Sequence, residues 1–276
     1  MYTEVYSKGE NMTTNLKSAP LIYTIGMMKF PRIPDIERFI DAFHDKIRKD
    51  YPFCDEFKVS VLHTDLCSQG LQYIQNENKV WQFTSVDQTW AFILTDQSLC
   101  LHTIDYQNFL QFSERFKKGL STIVNIPAIG LDWVTAIGIR YVNLIETEPN
   151  KKLSDYILPW ALPPEPSQRS LTTLEGAYVT RYKTDEGELR LQALLNPGVT
   201  LPSELQSSLI AKNGWVKERP ESSFAVIDID HSITFAPPKK AVILQALETL
   251  SNLQKISKIV FKSIGTKLSH TLWSKT

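Results

Sequence analysis

The chain holds 276 residues, 42% of them hydrophobic and 22% charged, with a formal net charge of zero at pH 7. Length and apolar share suffice for one large packed unit or two smaller ones. No run approaches the roughly 18 uninterrupted apolar residues of a membrane span, and the start lacks a secretory pattern, so a cytoplasmic location is expected. The three cysteines, Cys54, Cys67 and Cys100, form no framework spacing and read as reduced thiols.

Residues 1–17 are polar and aperiodic and read as a mobile tail. Pro20 to Met28 reads as a first strand, stopped by Phe30-Pro31 and Pro34. Asp35 then opens a helix whose apolar stripe is Ile36, Phe39, Ile40, Phe43 and Ile47, closed by Pro52. Val59–Leu62 and Leu71–Ile74 read as short strands around a loop holding His63, Cys67 and Gly70. The clearest sheet signal follows. Lys79–Thr84, Trp90–Leu94 and Leu99–Thr103 are three strand-like runs split by polar turns, an antiparallel meander. Asp105 is the expected cap of a helix from about Tyr106 to Asn125, with Phe109, Phe112, Phe116, Leu120 and Ile123 on its apolar side.

The next strand organises the chain. In Thr135–Asn143, period two puts Thr135, Ile137, Ile139, Tyr141 and Asn143 on one side and Ala136, Gly138, Arg140 and Val142 on the other. A lone arginine among small residues needs a partner carboxylate or carbonyls. Four prolines between Pro159 and Pro166 then make a stiff, extended connection. The expected organisation is an N-terminal half over 18–150, a Pro-rich linker over 151–168 and a C-terminal half over 169–276. The second half offers strands at 171–182, 188–195 and 223–234, the first two joined by the hairpin turn Thr184-Asp185-Glu186-Gly187. Pro237-Pro238 starts a long helix to about Phe261, and a short segment ends near Trp273. Both halves read as antiparallel strands followed by one long amphipathic helix. The fold class is therefore α+β, with mainly antiparallel sheets covered by helices.

Pro20, Leu21 and Phe30-Pro31, the Trp81-x-Phe83-Thr84-Ser85 strand, Trp90 and Ile137–Asn143 together resemble a sporadically distributed prokaryotic family of conserved hypothetical proteins. The likeness spans residues 19 to 145, and extends more weakly to Asp228-Ile229-Asp230-His231 and Trp273. It implies no catalytic residue and no cofactor. Its patchy distribution implies an accessory role, of the kind found at host-defence and mobile-element loci.

Three constellations carry the candidate chemistry. Arg140, with Tyr141 and Asn143 beside it, is either a ligand-binding fork or a structural anchor paired inside the sheet. Asp228 and Asp230 share one strand face; they read as its solvated side, or else as a Mg²⁺ pair of a nuclease or related hydrolase, with His231 alongside. His231 points with the isoleucines and reads as a hydrogen-bonded histidine. Lys255, Lys258 and Lys262 coat the last long helix, where residues 236–276 carry seven lysines against one acid, Glu248. That basic surface is a solvated face or a nucleic-acid contact. Cys54, His63, Cys67, Cys100 and His102 lack the spacing of a compact zinc module, so no metal is expected. No P-loop, dinucleotide fingerprint, Gly-x-Ser-x-Gly elbow or His-Glu-x-x-His occurs. The expected function is a non-enzymatic module that recognises a protein partner or self-associates, without cofactor or membrane contact. A hydrolase using Asp228 and Asp230 and a nucleic-acid binder using the lysines are the alternatives.

Overall fold

The computed structural model describes residues 20–67, 70–164, 171, 173–202, 205 and 215–274; for 59–78 it describes the backbone alone. The tail expected over 1–17 lies outside the described residues. Nine strands form a single antiparallel sheet: β1 (Leu21–Lys29), β2 (Phe53–Cys67), β3 (Gly70–Thr84), β4 (Trp90–Leu94), β5 (Ser98–Thr103), β6 (Trp133–Glu146), β7 (Gly176–Thr184), β8 (Gly187–Leu195) and β9 (Phe224–Lys240). Their spatial order is β2-β3-β4-β5-β1-β6-β9-β8-β7. The described α-helices are α1 (Ile40–Ile47), α2 (Phe109–Val124), α3 (Ile243–Ile264) and α4 (Lys267–Trp273).

Strands from both sides of the Pro-rich segment thus enter one sheet, through the ladder that pairs β6 with β9 from Trp133↔Lys240 to Glu146↔Phe224. The expected linker is packed as well. Ile157 and Ala161 are wholly buried, Leu153–Asp155 and Pro159–Ala161 form short 3₁₀ turns, and Ile157 bridges to Gly265. Prolines that stiffen a segment leave its apolar side chains free to join a core, and here they do.

Alternation along each strand separates two faces. On the helix face, Phe83, Phe92, Leu101, Ile137 and Ile139 meet Phe43, Phe112, Phe116 and Leu250 in one core. Farther along, Ile157, Leu191, Ile227, Ile229, Phe261 and Trp273 form a second. The opposite face buries Tyr23, Val142, Phe224 and Val226 with Leu201, Leu205 and Trp215 from the β8–β9 connection. Burying such side chains contributes about 1.5–3 kcal/mol each.

Local boundaries differ from the sequence pattern in three places. The region around His63 and Cys67 is one long hairpin, Phe53–Cys67 paired with Gly70–Thr84, because cross-strand pairing carries a sequence whose own alternation is weak. The cap of α2 is Asn108, not Asp105; its extended backbone lets the side chain accept from the Gln111 amide at 2.9 Å. Pro237 and Pro238 lie inside the last stretch of β9, at a register shift in its pairing with β6, rather than starting α3, which begins at Ile243. Prolines are tolerated at strand irregularities as at helix starts, and the pairing of Lys239 and Lys240 with Val134 and Trp133 decides between them.

Candidate recognition cleft

Arg140 lies on the face away from the helices and is 8% exposed. Register sets it opposite Asp230, yet its guanidinium reaches diagonally to Asp228, which stands opposite Val142. Nε donates to Asp228 Oδ1 and Nη2 to Oδ2, both at 2.7 Å. Asp228 is wholly buried, and Arg190 of β8 adds a weaker contact to Oδ2 at 3.4 Å while donating to Gln192 at 2.6 Å. The two-pronged geometry matches a planar fork to a carboxylate and satisfies both charges where water is scarce. This corrects the reading of Asp228 as the solvated side of its strand: the carboxylate is buried against a buried guanidinium from the neighbouring strand β6.

The same geometry weighs on Asp228 as a metal ligand. Both of its oxygens already accept from a guanidinium, whose positive charge opposes a cation at that spot. Asp230 is partly buried on the same face and carries polar contacts of its own. Among the described residues no group of three or more His, Cys, Asp or Glu side chains is placed to hold a metal. Of the cysteines, Cys54 is exposed and Cys100 buried, its thiol pushed up to about 12 by burial. The side chains of His63 and Cys67 lie outside the described residues.

His231 is buried on the helix face, between Thr184 Oγ1 at 2.9 Å from Nε2 and the Leu253 carbonyl at 3.0 Å from Nδ1. Burial holds its pKa below the usual imidazole value. It ties the β7–β8 turn to α3 and sits apart from Asp228 and Asp230, across the sheet.

Tyr141 and Asn143, by contrast, open into a cavity. Their strand presents them on the helix face, in the gap between the first turn of α2 and the middle of α3. The cleft there measures about 510 Å³, with Tyr141, Asn143, Leu21 and Ile229 from the sheet, Tyr106 to Leu110 along one wall and Gln254, Ser257, Lys258 and Phe261 along the other. That volume suits a small ligand or a few residues of a peptide.

Apart from Lys258, the polar side chains of the cleft are uncharged hydrogen-bonding groups. The Tyr106 and Tyr141 hydroxyls lie 3.4 Å apart. Burial raises the phenol of Tyr106 to about 12 and that of Tyr141 well above its usual value, so both keep their protons at neutral pH. Asn143 is 3% exposed and donates through Nδ2 to the Ile227 carbonyl at 3.3 Å. Ser257 Oγ donates to the Leu253 carbonyl at 2.9 Å. Among the described residues no carboxylate or histidine lines the cleft, and Lys258 is its one ionisable amine. A separate hollow of about 580 Å³ between the α2–β6 loop and Lys240–Val242 contains none of the residues singled out from sequence.

Of the three lysines, only Lys258 enters the cleft wall; burial, followed by Lys262 nearby, lowers its pKa. Lys255 is exposed and donates to Asn252 one turn back at 3.3 Å. The walls of the cleft escaped sequence reasoning, although one signal was there. Ser257 interrupts the buried stripe Leu250, Leu253, Ser257 and Phe261 of α3, a small polar residue where packing calls for a large apolar one.

The structure thus defines an α+β protein built on one large antiparallel sheet with helices over one face. No helix among the described residues is long and apolar enough to cross a membrane. Comparison of the chain with protein-family models, curated proteins and solved structures finds no match.

Proposed function

We propose that this protein is a cytoplasmic, non-enzymatic recognition module, an accessory subunit that takes a segment of a partner protein into the cleft between α2 and α3. The observation that carries this reading is the cleft's make-up: apolar walls from Leu21, Phe109, Ile229 and Phe261, tyrosine hydroxyls kept protonated by burial, and neither carboxylate nor histidine among the described lining residues. Such a lining favours binding over bond-breaking. A role in host defence accords with the family it resembles. The hydrolase alternative has less support, because Asp228 is occupied by Arg140 through both oxygens. Nucleic-acid binding also has less, because Lys258 turns into the cleft wall and away from a shared basic surface with Lys255.

The test is affinity capture from the native host with wild-type protein and with Gln254→Trp, which sets an indole into the cleft from a partly exposed position on α3. A partner retained by the wild type and lost by the variant, with unchanged unfolding midpoints, is the expected result. A solitary monomer, or a partner indifferent to the variant, refutes the proposal.

A further inference from the structure

Strand β7 is the last in the spatial order of the sheet, so one of its edges pairs with no described strand. It runs nine residues, Gly176–Thr184, without a proline, and pairs with β8 without a register shift. Edge strands are commonly blunted by proline, a bulge or short length, because unpaired amides and carbonyls recruit another strand. β7 has none of these devices.

The turn fixes which backbone groups face outward. Thr184 pairs with Gly187 across a two-residue turn, so that pair is hydrogen-bonded, and such pairs alternate along the ladder. Gly176, Tyr178, Thr180, Tyr182 and Thr184 therefore direct their amides and carbonyls to β8. Ala177, Val179, Arg181 and Lys183 direct theirs to the free edge, where no backbone hydrogen bond reaches them among the described residues. The same four side chains are exposed, Val179 to 53%.

The residues of β7 complement themselves in one register. With a two-fold axis at Thr180, all nine residues pair with a second copy. Tyr178 of each copy then stands opposite Tyr182 of the other, Val179 opposite Arg181 and Ala177 opposite Lys183. Aromatic pairs opposite one another stabilise a ladder, and no like charges meet directly. An axis at Arg181 would oppose two guanidiniums, and one at Val179 would leave Lys183 and Thr184 beyond the other copy's β7.

Charge agrees with that register. Glu175, one residue before β7, and Lys183 are both exposed and make no ion pair among the described residues. The nearby Glu188 is instead held by Arg181 at 3.2 Å. About Thr180, Lys183 of each copy lies diagonal to Glu175 of the other, a spacing that long side chains span.

We infer that two copies of this chain pair through β7, antiparallel about Thr180, independently of the cleft. The sheet then runs from one copy into the other with the helices of both on one face, an isologous interface.

The experiment is analytical ultracentrifugation of the full chain, wild type and variants. The wild type is expected to be a dimer at about 100 µM and to dissociate on dilution. Val179→Pro deletes an outward amide and leaves the β8 ladder intact, so a folded monomer is expected, its folding read from the urea midpoint. Lys183→Glu is expected to weaken the dimer about tenfold through two symmetric contacts, and the double variant Glu175→Lys/Lys183→Glu to restore it. The register is read in a Cys54→Ser background with diamide as oxidant. Thr180→Cys is expected to give a covalent dimer, because the two residues on the axis form a non-hydrogen-bonded pair with Cα atoms about 4.5 Å apart; Ala177→Cys is expected to give none. A monomeric wild type at that concentration overturns the inference, and an extended segment of another protein on this edge would leave the purified chain in that state. A dimer indifferent to Val179→Pro, a charge swap that does not restore pairing, or equal cross-linking of Ala177→Cys and Thr180→Cys overturns it too.

Discussion

Arg140→Met tests whether the guanidinium is part of the scaffold. The substitution keeps an unbranched apolar stem of similar reach and removes two 2.7 Å hydrogen bonds to Asp228. Asp228 is wholly buried, so its charge loses its principal partner in a place where water cannot replace it. Breaking a buried pair from one side costs about 3–5 kcal/mol. Arg190, at 3.4 Å, recovers part of this and sets the expectation at the lower end, about 3 kcal/mol. With a urea m-value of about 3 kcal/mol/M, the unfolding midpoint falls by about 1 M. Pairing the change with Asp228→Leu removes the stranded carboxylate, so the double variant is expected to be more stable than Arg140→Met alone, because apolar replacements of buried ion pairs are often neutral. The assay is urea unfolding followed by tryptophan fluorescence for wild type, both single variants and the double. A loss below about 1 kcal/mol for Arg140→Met, or a double variant as unstable as the sum of the singles, refutes a structural pair.

Two further predictions rest on other parts of the sheet. Gly187 closes the β7–β8 turn at φ 140°, and a Cβ there would lie 2.2 Å from the Ser232 carbonyl oxygen. Gly187→Ala is therefore expected to cost about 1–3 kcal/mol in the same urea assay, and a neutral outcome contradicts the turn geometry. His102 is wholly buried with Nδ1 at 2.9 Å from the Tyr23 hydroxyl and no partner on Nε2 among the described residues, and burial lowers its pKa to about 3. The folded protein then holds it neutral while the unfolded chain protonates it near pH 6.5. Its contribution is present in full above that pH and is lost as pH falls toward 3, at about 1.4 kcal/mol per pH unit. An imidazole NMR titration of the folded protein with a His102 midpoint above pH 5 refutes this.

What was legible in the sequence was what repeats over a few residues. Period two in Lys79–Thr103 and in Thr135–Asn143 marked strands and sorted their faces, and most of the buried stripe of α2 followed from helical spacing. Arg140 announced its need for a partner, a carboxylate or carbonyls, because a guanidinium among small residues in a strand interior must be satisfied. Which carboxylate answers lies 88 residues away, and only the β6–β9 register places Asp228 within its reach. The same pairing merged the two expected halves into one sheet, which no local pattern specifies, since the patterns of β6 and β9 fit many neighbours. The cleft is wholly a tertiary product. Leu21, Tyr141, Asn143, Ile229 and Ser257 share a hollow because α2 and α3 rest on the sheet with a gap between them, and a gap is set by how side chains pack across elements, not by the order of residues within one.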